Sequence, residues 1–164
     1  MQIQMPLIIF FVLLLSLNSA FAAETAGKPN EAKHLVLMDF KLMGAIGEAK
    51  LDQEHLQRLA MANRELRTQL AATKQYNLLE ESASTQFNQK VKTGLNNNAC
   101  DSCEIGLAKQ LKIQQILYPW IYKLSNLVLA LHVVIIDVDT GKAVVKKVLD
   151  FRGDNDQSWQ RAIQ

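Results

Sequence analysis

QILYPWIYK (115–123), LVLALHVVIIDV (127–138) and AVVKKVLDF (143–151) follow one another with only LSN (124–126) and DTGK (139–142) between them. Each run is rich in Ile, Val, Leu and aromatic residues, and each separator holds the small and polar residues of a tight turn. The pattern predicts three consecutive antiparallel strands. The middle run is apolar on both parities, which places it inside the sheet, whereas Lys146 and Lys147 are charges of the kind that protect an exposed edge. Pro119 has no N–H to give to a ladder, so it predicts an edge position or a bulge in the first run.

Working outward, His34–Phe40 is a short apolar run suited to a strand covered on both faces, and Gly44 and Gly47 mark a loop after it. Leu56, Leu59, Asn63, Leu66 and Leu70 recur at spacings of three and four, predicting an amphipathic helix from Leu51 to about Thr73 with Asp52 as a cap. Tyr76–Glu80 reads as a second strand. Glu81–Asn98 is polar, with a short helix giving way to a turn at Gly94–Asn98, and Ile105, Ala108, Leu111 and Lys112 fit a helix opening near Asp101 or Ser102. Asp154 or Asp156 can cap a last short helix carrying Trp159 and Ile163. The fold class expected is α/β (α+β): a single mixed sheet in the order β-α-β-(α)-α-β-β-β-α, with helices packed on the sheet.

The first 22 residues say where such a domain works. Pro6–Leu17 is an almost unbroken apolar run that stops at Ala20-Phe21-Ala22, the pattern of a secretory signal peptide and too short for a membrane span. No Lys or Arg precedes it, which is unusual for such a signal. Cleavage after Ala22 leaves 142 residues, enough for one core. Residues 23–33, small and polar, read as a flexible leader and 34–164 as one α/β domain in the periplasm or beyond. The 18 basic and 16 acidic residues are intermixed; Arg58, Arg64 and Arg67 share their helix with Asp52, Glu54 and Glu65, as on a solvated face. A nucleic-acid surface would need a basic stripe.

Cys100-Asp101-Ser102-Cys103 holds both thiols, in a compartment that permits disulfides. A bridge between Cys100 and Cys103 would pin the following helix; alternatively the pair exchanges disulfides, with Cys100 attacking from a helix start. Zinc would need further ligands in tetrahedral spacing, and haem attachment a His where Glu104 stands. Asp150–Asp156 offers acidic and amide oxygens around Gly153, but their spacing is wrong for a calcium loop. No motif for a nucleophile, a phosphate loop or a paired acid and base is found, so no catalytic residue, metal or cofactor is assigned. The least arbitrary binding surface is the hairpin with Lys123, Ser125 and Asn126, together with Arg152, Asp154, Asp156 and Trp159. Tyr118, Trp120 and Tyr122 could form an aromatic patch on an edge strand or pack under a helix, and His132 reads as a hydrogen-bonded core residue.

Asp39-Phe40, the helix with Arg58, Leu59, Leu66, Arg67 and Leu70, then Tyr76, Cys100-x-x-Cys103 and Leu107–Leu111, together resemble an uncharacterised family of secreted bacterial proteins. The ending agrees best: Trp120, Lys123–Leu129, Asp137-Val138 with Thr140-Gly141, and Asp150–Trp159 with Arg161. Pro119 departs from the pattern, which expects a glycine, and Gln164 falls before the last helix is expected to finish. The resemblance implies a domain of unknown function without an established activity. The element order is in turn similar to the amino-terminal domain of the Tol translocation protein TolB and to the curli secretion protein CsgG, implying an α/β layer used for docking in the cell envelope. The function expected is a non-catalytic periplasmic accessory protein that binds a partner protein or small ligand.

Overall fold

The computed structural model describes residues 32–44, 52–96 and 103–164. The expected signal peptide, almost all of the leader and Cys100 lie outside them. In chain order the elements are β1 (Lys33–Leu37), β2 (Lys41–Gly44), α1 (Gln53–Thr73), β3 (Tyr76–Leu78), α2 (Glu81–Asn96), α3 (Cys103–Gln110), β4 (Gln115–Lys123), β5 (Val128–Asp137), β6 (Ala143–Arg152) and α4 (Asp156–Ile163). The six strands make one mixed sheet in the order β3-β1-β4-β5-β6, with β2 also paired to β4. β1 runs parallel to β3 and β4, and β2 runs parallel to β4. β4, β5 and β6 form the antiparallel meander that their sequences predict. The fold is thus α+β, with β5 inside the sheet and the lysine-bearing β6 at its edge.

Two expectations fail near the middle of the sheet. A loop opening at Gly44 overlooks β2, a four-residue strand that continues the line of β1 beside β4. Gly44 itself sits at φ +94°, and an added Cβ would lie 2.4 Å from the Lys123 carbonyl oxygen, so the close approach of β2 to β4 requires glycine. Pro119 is on neither an edge nor a bulge. β1 pairs with Gln115–Leu117 and β2 with Trp120–Lys123. Leu117 turns its carbonyl towards β1, accepting from Met38 N–H, so the Pro119 nitrogen two residues on points to the same side, into the gap between β1 and β2. A residue without an N–H leaves no donor unpaired there.

The gap is satisfied by side chains. Asn88 Oδ1 accepts from Asp39 N–H, Asn63 Oδ1 accepts from Phe40 N–H, and Asn88 Nδ2 and Ser84 Oγ both donate to the Leu37 carbonyl. This explains how α2 reaches Asn96 through Gly94 although its sequence predicts only a short helix. Its buried stripe is Ser84, Phe87, Asn88 and Val91, half of it polar, so its periodicity is faint in hydrophobicity alone. α3 ends at Gln110, short of the expected Lys112, which adopts a left-handed conformation (φ 56°).

Each sheet face has its own core. On one, Leu42, Ile121, Leu129 and Leu131 pack against Leu59 and Ala62 of α1 and Trp159 and Ile163 of α4. On the other, Val36, Ile116 and Val138 pack under Phe87 and Val91 of α2 and Ala108 of α3. Asp52 caps α1 as expected, accepting from His55 N–H at 2.8 Å. The expected inner stripe of α1, however, is rotated: Leu56 is exposed, while His55, Arg58, Leu59 and Ala62 are buried. Arg58 is therefore not part of a solvated face.

Candidate functional site

β4 ends at Lys123 with its side chain pointing beneath the β4–β5 turn rather than into solvent, leaving the residue only 7 % exposed. Burying an ammonium group is costly unless it is paired and hydrogen-bonded. Its partner comes from 31 residues later: Lys123 Nζ donates to Asp154 Oδ2 at 2.5 Å. Asp154 follows Gly153, whose φ of +89° turns the chain out of β6. A Cβ at position 153 would lie 2.9 Å from Asn155 Nδ2, so the turn that aims Asp154 inward depends on glycine. The helix beyond is capped by Asn155, whose Oδ1 accepts from Ser158 N–H; neither Asp154 nor Asp156 fills the expected capping role. Asp154 is free of that duty because it points the other way.

Asp154 gathers four donors. Oδ2 also meets His55 Nε2 at 2.8 Å, while Oδ1 accepts from Trp159 Nε1 at 3.0 Å and, at 3.4 Å, from Arg58. The other ring nitrogen of His55 faces Asp52 Oδ1 at 2.8 Å. Arg58 completes its valence at the rim, donating to Asp156 and Glu54 at 2.8 Å each. One inward carboxylate and three exposed ones, Asp52, Glu54 and Asp156, surround three buried basic side chains, Lys123, Arg58 and His55. The cluster ties α1 to β4, to the β6–α4 turn and to α4.

Burial alone would push the Asp154 carboxyl up, but hydrogen bonds from Lys123, His55 and Trp159 outweigh it and hold the group below its ordinary value. For Arg58, burial opposes the charge and the Asp156 and Glu54 hydrogen bonds more than restore it. The sign of the linkage follows. A carboxyl depressed in the folded state contributes stability that is fully present above its unfolded value of 3.8 and is lost as pH falls through the lower folded value. Urea titrations at stepped pH should show stability declining below about pH 4, and Asp154→Asn should flatten that decline.

The cluster fastens α1 to the end of β4 and to the β6–α4 turn. Both Asp154 oxygens are committed to donors, and among the described residues no group of three His, Cys, Asp or Glu is placed to hold a metal ion. Of the residues singled out in the sequence, Lys123, Asp154, Asp156 and Trp159 come together here. Ser125, Asn126 and Arg152 lie around the outside, exposed. Ser125 Oγ accepts from the N–H groups of Leu127 and Val128, and the Asn126 carbonyl accepts from Asp154 N–H. Sequence reasoning missed His55 and the inward turn of Arg58. The available signal was their spacing with Leu59 and Ala62, which places all four on one helix face. Cys103 is the first residue of α3.

The aromatic patch is not on an edge strand. Tyr118, Trp120 and Tyr122 project from interior β4 on the α2–α3 side. Tyr118 is held near α3, where burial and then Glu104 raise its phenol well above the ordinary value. Trp120 stacks on His132 with ring centroids 4.7 Å apart and planes 7° from parallel, so His132 makes a cross-strand ring stack in a half-buried setting. Tyr122 is exposed. A 430 Å³ hollow lies beside them, lined by Met38, Met43, Pro119 and Val134 among others.

No helix of the described residues is long and apolar enough to cross a membrane. Among curated proteins none matches the chain. Solved structures with a similar fold include the LpoB C-terminal domain from Escherichia coli, at 17 % identity and a TM-score of 0.54, and the same domain from Salmonella enterica, at 18 % and 0.51; each match covers 73 % of this chain and 82 % of the other. Lipoprotein GNA1162 from Neisseria meningitidis aligns with a TM-score of 0.49 at 13 % identity, over 74 % of this chain and 81 % of its own. At such identities the LpoB likeness speaks for the fold alone. A family model matches residues 33–164, every described strand and helix, and by that match the chain belongs to the DUF3280 family, described as a protein of unknown function (DUF2380).

Proposed function

We propose that this chain is a non-catalytic accessory protein of the cell envelope and that it docks a partner protein with the tip of its β4–β5 hairpin. One observation carries the reading: Leu124 and Leu127 stand 63 % and 59 % exposed at a turn pinned from beneath by a buried ion-pair cluster. Single exposed apolar residues are ordinary. Two leucines on a two-strand tip fixed by Lys123, Asp154 and a seryl turn are a pre-organised apolar contact, which spares a partner the cost of ordering the loop. Ser125, Asn126 and Arg152 supply polar groups around it. Export rests on the amino-terminal sequence, and the likeness of element order to TolB and CsgG adds only an analogy.

The test is capture from solubilised envelope with the purified chain as bait. The wild type should retain a discrete protein. A Leu124→Ser/Leu127→Ser variant should lose most of it, and Arg152→Ala should weaken it, with thermal stability unchanged in both because the three side chains are exposed. Equal recovery by wild type and the double variant would refute the tip as the docking surface.

A further inference from the structure

β6 is one of the two terminal strands of the sheet, and its residues are mostly exposed, including Val148 at 62 %, Val144 at 51 % and Leu149 at 50 %. An apolar ten-residue edge invites another strand, and Lys146 and Lys147 are the obvious deterrent. The arrangement of charges along β6 changes that judgement. We propose that two copies of this chain pair antiparallel through β6, with Val148 on the two-fold axis, joining their sheets into one.

The backbone sets which registers are possible. Gly153 N–H donates inward to the Leu127 carbonyl, and Leu129, Leu131 and Val133 pair with Phe151, Leu149 and Lys147. Because N–H and C=O alternate sides along a strand, the odd-numbered residues bond to β5 and the groups of Lys146, Val148 and Asp150 point outward, unpaired within the chain. An antiparallel copy must bring outward groups opposite outward groups, so the axis falls on a residue rather than between two.

An axis on Val145 or Phe151 would leave half or more of β6 unpaired, and among the centres that overlap more of the strand the side chains then select one. An axis on Lys146 or Asp150 sets that charge against itself, one on Lys147 sets Lys147 against itself, and one on Leu149 sets Lys146 against Arg152 of the second copy. With the axis on Val148, Lys146 faces the second copy's Asp150 and Asp150 faces its Lys146. Val148 meets Val148, and Val145 meets Phe151. Unlike charges directly opposite stabilise a strand pair and like charges oppose it. The lysine that guards the edge is thus matched by an acidic residue of the same strand in the second copy, the isologous contact that closes a dimer.

Sedimentation equilibrium of the purified chain tests this with a charge-swap set. The wild type should dimerise. Lys146→Asp and Asp150→Lys, each creating two like-charge pairs across the axis, should each weaken the dimer roughly tenfold or more, and the double swap should return it to within about threefold of wild type. If either single change unfolds the chain, Val148→Cys gives the same test: under mild oxidant it should join into a species of doubled mass, whereas Leu149→Cys, which faces Lys147 of the second copy, should not. A chain monomeric at all concentrations, a dimer indifferent to both single swaps, a double variant no better than the singles, or equal cross-linking at 148 and 149 would overturn the proposal.

Discussion

Asp154→Asn is expected to destabilise the fold by about 3–5 kcal/mol, the cost of removing one partner from a buried ion pair. The side chain is 7 % exposed, and it faces Lys123 at 9 %, Arg58 at 9 % and His55 at 11 %. Exposure this low leaves little water to compensate the charges of Lys123 and Arg58. Arg58 retains Asp156 and Glu54, and His55 retains Asp52, but Lys123 has no other carboxylate among the described residues. The loss should therefore fall mainly on Lys123. Chemical denaturation of Asp154→Asn and of Lys123→Met/Asp154→Asn checks this: the second substitution should recover a substantial part of the loss, because an apolar side chain needs no partner there. Equal stability for wild type and Asp154→Asn would show that the cluster holds nothing.

Trp159→Ala should be comparably damaging, about 3–5 kcal/mol. Trp159 is fully buried and is part of the core that α1, α4 and the sheet share, with Phe151 edge-on to it at 6.5 Å. It also gives its indole N–H to Asp154. Trp159→Phe separates the two contributions: it keeps most of the packing and leaves the Asp154 oxygen one donor short, so a loss of about 1–3 kcal/mol is expected from the hydrogen bond and the reduced volume. Thermal unfolding of the two variants side by side ranks them. A Phe variant as weak as the Ala variant would mean that the hydrogen bond, and not the packing, dominates at this position.

What the sequence disclosed follows from how locally each feature is encoded. The meander from Gln115 to Arg152 is written in three apolar runs and two turns that need no distant partner to be recognised. Asp52 as the cap of α1 is equally local. Lys123, Asp154 and Trp159 stood out near a turn and a helix start, but nothing in their neighbourhoods shows that they point inward, since that depends on a pairing between residues 31 apart. His55 and Arg58 were harder still, reaching partners 96 to 99 positions away. Their polar character displaced the apparent helix stripe onto exposed Leu56. Pro119 misled for a related reason: the rule that excludes proline from interior strands assumes an unbroken neighbour, and here the neighbour is two strands, β1 and β2, with a gap opposite the proline.

The account depends on the buried cluster holding the hairpin tip in place for a partner, and native-state hydrogen exchange observes that hold. The amides of Leu124, Ser125, Gly153 and Asp154 all bond to carbonyls within the tip. In the wild type they should be protected to nearly the extent of the interior amides of β5, and in Asp154→Asn they should exchange through local opening well before the strands do. Tip amides that exchange freely in the wild type, or protection unchanged by Asp154→Asn, would contradict it.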